Sequence, residues 1–301
     1  MGWNWDAGSG VGKTEVIDLS NPSNECTTPD FPLPAYGGAG DLVDGTTPMI
    51  CGGTWHDEDG APHNYNQCHK LTTNGWEQVA SMSIGATSHT AIAINDKLWL
   101  TGLDYLDYTE FVSLSGDVSP GPLLPNQNHH SHCLVKTSES TVMMIGGTNS
   151  QDSEIARKTY FLNILTGDWT DGPDMIQARS GHGCALFEED GKKYVMVVGG
   201  VDVSDDQYPY LSSTEYFDFE DMEWKDDASL PVALADPEVV SLGNKLVVIG
   251  GHQAPPYNAL DIYEYNCNVD YCGWVTLDVK LTEQRNDLVA MPIPDELVNC
   301  K

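Results

Sequence analysis

Five apolar runs that each end in glycine constrain this chain more than any other feature. They are Met49-Ile50-Cys51-Gly52-Gly53, Leu98-Trp99-Leu100-Thr101-Gly102, Met143-Met144-Ile145-Gly146-Gly147, Met196-Val197-Val198-Gly199-Gly200 and Val247-Val248-Ile249-Gly250-Gly251. Their first glycines stand 50, 44, 53 and 51 residues apart. Where the glycine pair is complete, a tryptophan follows after 24, 23, 25 and 24 residues: Trp76, Trp169, Trp224 and Trp274. A period near fifty residues marks a repeat architecture and must be read before any local element.

Between glycine and tryptophan lies a β-rich stretch with an aromatic stripe, as in Lys158-Thr159-Tyr160-Phe161-Leu162 and Asp261-Ile262-Tyr263-Glu264-Tyr265. Pro- or Met-marked exits follow, such as Gly172-Pro173-Asp174-Met175. A further strand then opens the next unit, as in His89-Thr90-Ala91-Ile92-Ala93-Ile94. Each unit therefore reads as four strands, a to d. These residues resemble the kelch repeat, and the resemblance covers essentially the whole chain. It implies an all-β propeller of four-stranded blades. One unit departs, with Leu103 for the second glycine and Pro120-Gly121-Pro122 where tryptophan is due.

The two ends predict one more unit. Thr14 to Leu19 reads as strand c and Cys26 to Pro34 as strand d with its exit, while Asp287 to Met291 and Glu296 to Cys300 read as strands a and b. Joined end to start, Gly2 falls 53 residues after Gly250 and 50 before Gly52, so the count predicts six blades. The expected arrangement is one domain over 1–301, with units 285–301 plus 1–34, 35–84, 85–125, 126–175, 176–231 and 232–284. A ring sealed by strands from both termini leaves no open sheet edge inside it.

The glycine pairs do not lead into a helix with a following lysine, so they read as close backbone approach and positive φ rather than a phosphate cradle. The tryptophans recur at one strand position and read as packing between blades. Eight cysteines suggest an oxidising compartment and hence a secreted or extracellular protein. Cys51 and Cys68 fall in adjacent strands, Cys267 and Cys272 flank an enlarged c–d turn, and Cys26 and Cys300 belong to the unit shared by the ends. These three pairs are the expected disulfides; whether Cys133 and Cys184, on strands a of neighbouring units, are free thiols is left open by the sequence. Met1-Gly2-Trp3-Asn4-Trp5 has no basic segment or apolar core, so Met1 reads as a start codon placed on a mature domain.

A net charge of −31, from 14 basic and 45 acidic side chains, repels phosphate backbones and excludes nucleic acid as a partner. No run approaches 18 apolar residues, so no membrane-spanning helix is expected. Plain solubility accounts for the acidity as well as attraction to cations or basic ligands does.

Topology places the b–c loops and d–a links on one side of the disc. That side gathers eight of the nine histidines and all three arginines. The candidate binding residues of the early loops are Trp3, Trp5, Trp55, His56, Tyr105 and Tyr108. The later loops and links add His129, His130, Arg179, His182, Tyr208, Tyr210, His252, Tyr257 and Arg285. Arginine with tryptophan and tyrosine is the usual composition of a binding hot spot. A repeat-structural role competes with this reading, because histidine recurs near the start of strand a in three successive units.

The favoured reading is a non-enzymatic extracellular binding protein whose ligand is a protein, a glycan or a small molecule of apolar or pigment-like character. Two alternatives stand beside it: a metal-dependent enzyme similar to kelch-type oxidases, and an acidic calcium-binding matrix protein. No cofactor is predicted, although histidines near Asp57, Glu58 and Asp59 are chemically able to hold calcium or another metal. No Gly-x-Ser-x-Gly elbow is present. The Glu-x-x-x-Asp-x-x-x-His pattern of the iron-dependent kelch enzymes is also missing.

Overall fold

The computed structural model describes residues 2–4, 9–103, 106–149, 153–203, 210–243, 245–253, 259–267, 272–285 and 287–300. Three short strands come first: β1 (Gly2–Asn4) and β2 (Ser9–Val11) pair with each other, and β3 (Cys26–Thr27) stands apart from them. Five four-stranded antiparallel sheets follow, each in the order a-b-c-d. The first is β4 (Ala39–Val43), β5 (Thr47–Cys51), β8 (Gln67–Thr72) and β9 (Gly75–Ser81), with the hairpin β6 (Thr54–His56) and β7 (Pro62–Asn64) in its b–c loop. The second is β10 (Thr90–Ile94), β11 (Lys97–Thr101), β12 (Glu110–Ser113) and β13 (Val118–Pro120). The third is β14 (Cys133–Ser138), β15 (Thr141–Ile145), β16 (Thr159–Asn163) and β17 (Trp169–Asp171). The fourth is β18 (Gly183–Glu189), β19 (Lys192–Val198), β20 (Thr214–Asp218) and β21 (Glu223–Asp227). The fifth is β22 (Glu238–Leu242), β23 (Lys245–Ile249), β24 (Asp261–Cys267) and β25 (Cys272–Lys280). A last strand, β26 (Asn299–Cys300), pairs with β3.

Strands b carry no alternation because neighbouring blades cover both of their faces. Val142 to Ile145 and Val195 to Val198 are all buried, which explains why they read as unbroken apolar runs. The strand-d tryptophans reach back to the preceding unit. Trp169 Nε1 donates to Leu123 O at 2.9 Å, Trp224 Nε1 to Pro173 O at 3.1 Å and Trp76 Nε1 to Pro29 O at 3.0 Å.

The glycine pairs clasp one blade to the next. The second glycine donates its N–H to a carbonyl in the following d–a link: Gly53 to Ala86 O, Gly147 to Arg179 O, Gly200 to Leu234 O and Gly251 to Arg285 O. At Gly146, where φ is +54°, a Cβ would stand 2.6 Å from Arg179 O and 2.7 Å from the His182 ring. Only glycine fits there.

The blade count is five, one fewer than the glycine spacing predicts. Residues 12–25 and 287–298 contribute no strand, and among the described residues the closing sector holds the β1–β2 hairpin, the two-residue β3–β26 pairing and a 3-10 turn at Asp295–Leu297. Pro292 and Pro294 contribute to this: neither has an N–H for a ladder, and the chain after Met291 pairs again only at β26. Around the channel, however, the closing segment keeps its place. Gly37, Ser88, Ser131, Gly181, Asp236 and Asp287 all adopt left-handed φ, between +48° and +64°. Gly37 N donates to Asp287 O, Ser88 N to Gly37 O, Gly181 N to Ser131 O and Asp236 N to Gly181 O, at 2.8–2.9 Å. The channel mouth thus has six places for five blades.

The three expected disulfides form: Cys26–Cys300, Cys51–Cys68 and Cys267–Cys272. Cys133 and Cys184, which the sequence left open, join as a fourth bridge. Their strands, β14 and β18, are innermost in adjacent blades, so residues 51 apart in sequence lie 6.1 Å apart at Cα.

Candidate loop-face binding site

The loop face divides the expected site residues into two populations. One lies beneath the surface. Arg179 is fully buried, and its Nη1 donates to Gly199 O at 2.7 Å and Ser213 O at 3.0 Å. Its Nη2 donates to Ser213 Oγ at 3.1 Å and to Glu215 Oε1 at 2.8 Å. Glu215 also accepts from the Ile176 and Gln177 N–H groups. His129 is fully buried with Nε2 2.7 Å from Gly146 O. Both side chains occupy the place two residues before the ring position, and both satisfy the carbonyl of their own blade's first glycine, where the strand ladder ends. His182 is buried against Gly146, His89 against Gly52, and His132 Nε2 lies 2.7 Å from Thr101 Oγ1.

Burial keeps these imidazoles neutral. It lowers His89 and His129 to about 4, and lowers His182 to about 3 with Arg179 adding repulsion. His132 falls well below its ordinary value through burial and the neighbouring histidines. Arg179, His129 and His182 thus close the wall of the ring and present no polar edge at the loop surface. Arg285, only 4% exposed, lies in the closing sector.

The second population is accessible and centred on β6–β7. In this hairpin Trp55 is paired with His63 across the strands, and the rings stack at 4.8 Å. Tyr65 continues the stack at 6.0 Å from Trp55. Side chains alternate across a strand, so His56 points to the other hairpin face, where it stacks on Tyr36 at 5.9 Å and 9°. The tip is fixed by Asp57, which accepts from the Asp59 and Ala61 N–H groups and lies 2.8 Å from His63 Nε2. The hydrogen bond from His63 holds the Asp57 carboxyl below its ordinary value. Trp55 and Tyr65 are half-buried; His56 and His63 are exposed.

Elsewhere on the face, Tyr210 Oη lies 2.9 Å from His252 Nδ1, Tyr108 Oη donates to Glu110 and half-buried His130 bridges to Thr148. Trp3 belongs to β1, and Trp5, Tyr105, Tyr208 and Tyr257 lie outside the described residues. Two rings that the sequence reading did not assign to the site, Tyr36 and Tyr65, join the cluster through stacking. Their places beside the first glycine pair were the available signal.

Asp57, Glu58 and Asp59 do not assemble a metal site. Among the described residues the only close trio of metal-capable donors is Glu189, Cys267 and Cys272, and its sulfurs are joined to each other. The channel below the ring, about 740 Å³, collects Asp41, Asp236, Glu238 and Asp287. Burial, then Asp41 and Asp236, push Glu238 up to about 8; burial, then Asp287, push Asp236 up to about 8. A carboxyl with a folded-state value above its unfolded one stabilises fully below the unfolded value, and that contribution is lost as pH rises through the folded value. Glu238→Gln should therefore melt higher than the parent at pH 9, with the advantage gone near pH 4.5. Thermal melting across that range checks it; a constant difference at all pH values would contradict the titration.

Closed rings of four-stranded sheets are β-propellers, and this chain is one. No protein-family model matches it. Among solved structures, that of YjhT superposes with a TM-score of 0.67 at 13% identity, over 82% of this chain and 86% of that one. Kelch-like protein 41b of Danio rerio is 27% identical over 129 residues, and F-box/kelch-repeat protein At2g44130 of Arabidopsis thaliana is 27% identical over 122 residues. These stretches cover 42% and 40% of this chain but only 20% and 28% of those proteins. With the glycine–tryptophan repeat, these matches support a kelch-repeat propeller family.

Proposed function

We propose that this chain is a non-catalytic extracellular binding protein that engages a protein partner through the loop face, with the β6–β7 hairpin at the centre of contact. The observation that carries the reading is the double-sided aromatic hairpin, in which Trp55, His63 and Tyr65 stack on one face and His56 and Tyr36 on the other. Stacked rings on a hairpin pinned by Asp57 present large apolar area with little ordering cost. Kelch-repeat homologues point to a binding role, and four disulfides are compatible with an extracellular setting. A net charge of −31 favours a partner with a basic contact surface and steers its approach.

Photo-crosslinking tests the face. A photoreactive residue at position 56 should yield adducts in extracellular fluid of the source tissue. One at position 165, exposed on a c–d turn of the opposite face, should not. With the captured partner, Trp55→Ala should weaken binding by about 2 kcal/mol, roughly thirtyfold in Kd. Added salt should slow association. Equal capture at both positions would transfer the site away from the loops.

A further inference from the structure

The closing sector contains an internal comparison between two arginines at the same place in the repeat. Arg179 stands two residues before ring residue Gly181, and Arg285 two residues before Asp287. Each is buried and each lends its backbone carbonyl to the second glycine of the preceding blade. Each faces a glutamate tethered by the N–H three residues earlier: Ile176 N to Glu215, Thr282 N to Glu15. Each also bonds the carbonyl two residues before that glutamate, Ser213 O for Arg179 and Lys13 O for Arg285.

There the likeness ends. Arg179 also donates to Gly199 O at the end of β19, and its pair with Glu215 closes to 2.8 Å. Arg285 has no strand-b carbonyl to meet. Its Nη2 stays 3.7 Å from Glu15 Oε2 and lacks a hydrogen-bond partner although buried, whereas Nε is unpartnered in both arginines. An unsatisfied buried donor is costly, the more so on a charged group.

Beside Arg285 lies a cavity of about 540 Å³ between the facing sheets of the fifth and first blades. Val240, Leu242 and Ile262 line it from one side and Ile50, Leu71 and Trp76 from the other. The chain runs along it twice, as residues 13–20 and 288–293, and neither stretch joins a sheet. Residues 287–291 hold the strand-a place at the channel, and Glu15 holds the strand-c place of Glu215. The lane between them corresponds to strand b, which in every blade is an apolar run leading into glycine. The buried apolar cluster on the first-blade side of it has three members among the described residues, Phe31, Ala35 and Ile50.

From this geometry we propose that the closing sector is an acceptor for one extended apolar strand of a second polypeptide, running into glycine, whose carbonyl meets the free edge of Arg285. The mode is strand addition, with main-chain bonds giving affinity and side-chain pockets giving selectivity. It concerns a different part of the molecule from the loop face, and either reading can fail alone.

The test uses a synthetic peptide with the β23 sequence through its glycines, Lys245 to Gly251, carrying extra lysines for solubility. It should bind the disulfide-intact protein and slow backbone hydrogen exchange in residues 13–20 and 288–293. A scrambled peptide, or one with proline at the central valine, should bind at least tenfold more weakly. Arg285→Gln should cost a similar factor. Leu242→Phe, which fills the lane without touching Arg285, should block binding while the protein still melts cooperatively. Absence of binding, equal binding of the scrambled peptide, or protection elsewhere in the ring would overturn the proposal. So would a long-chain fatty acid occupying the cavity in competition with an otherwise unprotected peptide.

Discussion

Arg179→Ala should destabilise the fold by about 3–5 kcal/mol, the usual effect of removing one partner from a buried ion pair. The loss has three physical parts. Glu215 would keep its bonds from Ile176 and Gln177 but lose its cation. The carbonyls of Gly199 and Ser213 would lose their donors at the point where the β19 ladder ends. A fully buried side-chain volume would become a void beside His182. Urea unfolding of the parent and the variant gives the difference directly. The pairing also predicts non-additivity: Arg179→Met combined with Glu215→Gln should recover part of the loss, because no charge is then stranded. If Arg179→Ala left the urea midpoint unchanged and altered only partner affinity, the side chain would belong to the binding surface.

That expected result bears on what the sequence could reveal. Repeat length, strand order and blade packing were legible because they rest on periodicity, and the glycine pairs and tryptophans keep theirs over most of the chain. The side of the disc reached by each loop was also legible from topology. Depth was not. Arg179 and His129 sit on loop-side links, yet they turn inward to meet carbonyls left by the glycine pairs. Their shared register, two residues before the ring position, was the available signal, and it becomes interpretable only once the Gly146 and Gly199 carbonyls are known to need donors.

The Cys133–Cys184 bridge was hidden for a related reason. Residues about one repeat apart look remote along the chain, although innermost strands of adjacent blades are neighbours around a channel. The blade count failed at the closing sector, where apolar residues such as Val16, Ile17, Val289 and Met291 have strand-like composition. Composition does not supply pairing partners, and Pro292 and Pro294 interrupt the return. The same sector leaves Arg285 Nη2 unbonded, whereas Arg179 Nη2 meets Ser213 and Glu215 and its Nη1 meets the carbonyls of a complete blade. Charge and residue type at these two positions are identical; the neighbouring strand makes the difference.

The second large effect is expected where the ring is least built. Cys26→Ser with Cys300→Ser should cost about 5 kcal/mol, because a crosslink between residues 274 apart removes more unfolded-chain freedom than one closing a short loop. The same chain-entropy reasoning ranks Cys133–Cys184, with a separation of 51, next, then Cys51–Cys68 at 17 and Cys267–Cys272 at 5. Compensation should be weakest at the closing sector, where β3 and β26 share only two residue pairs and the cavity reduces packing between the first and fifth blades. Chemical denaturation of the four paired Cys→Ser variants should reproduce that order. Hydrogen exchange should show the Cys26/Cys300 variant opening first at residues 13–31 and 287–298, with β14 to β19 protected. If instead the Cys267–Cys272 variant lost the most stability, ring closure would not be the main service of these bridges, and the short c–d turn of the fifth blade would be the weaker joint.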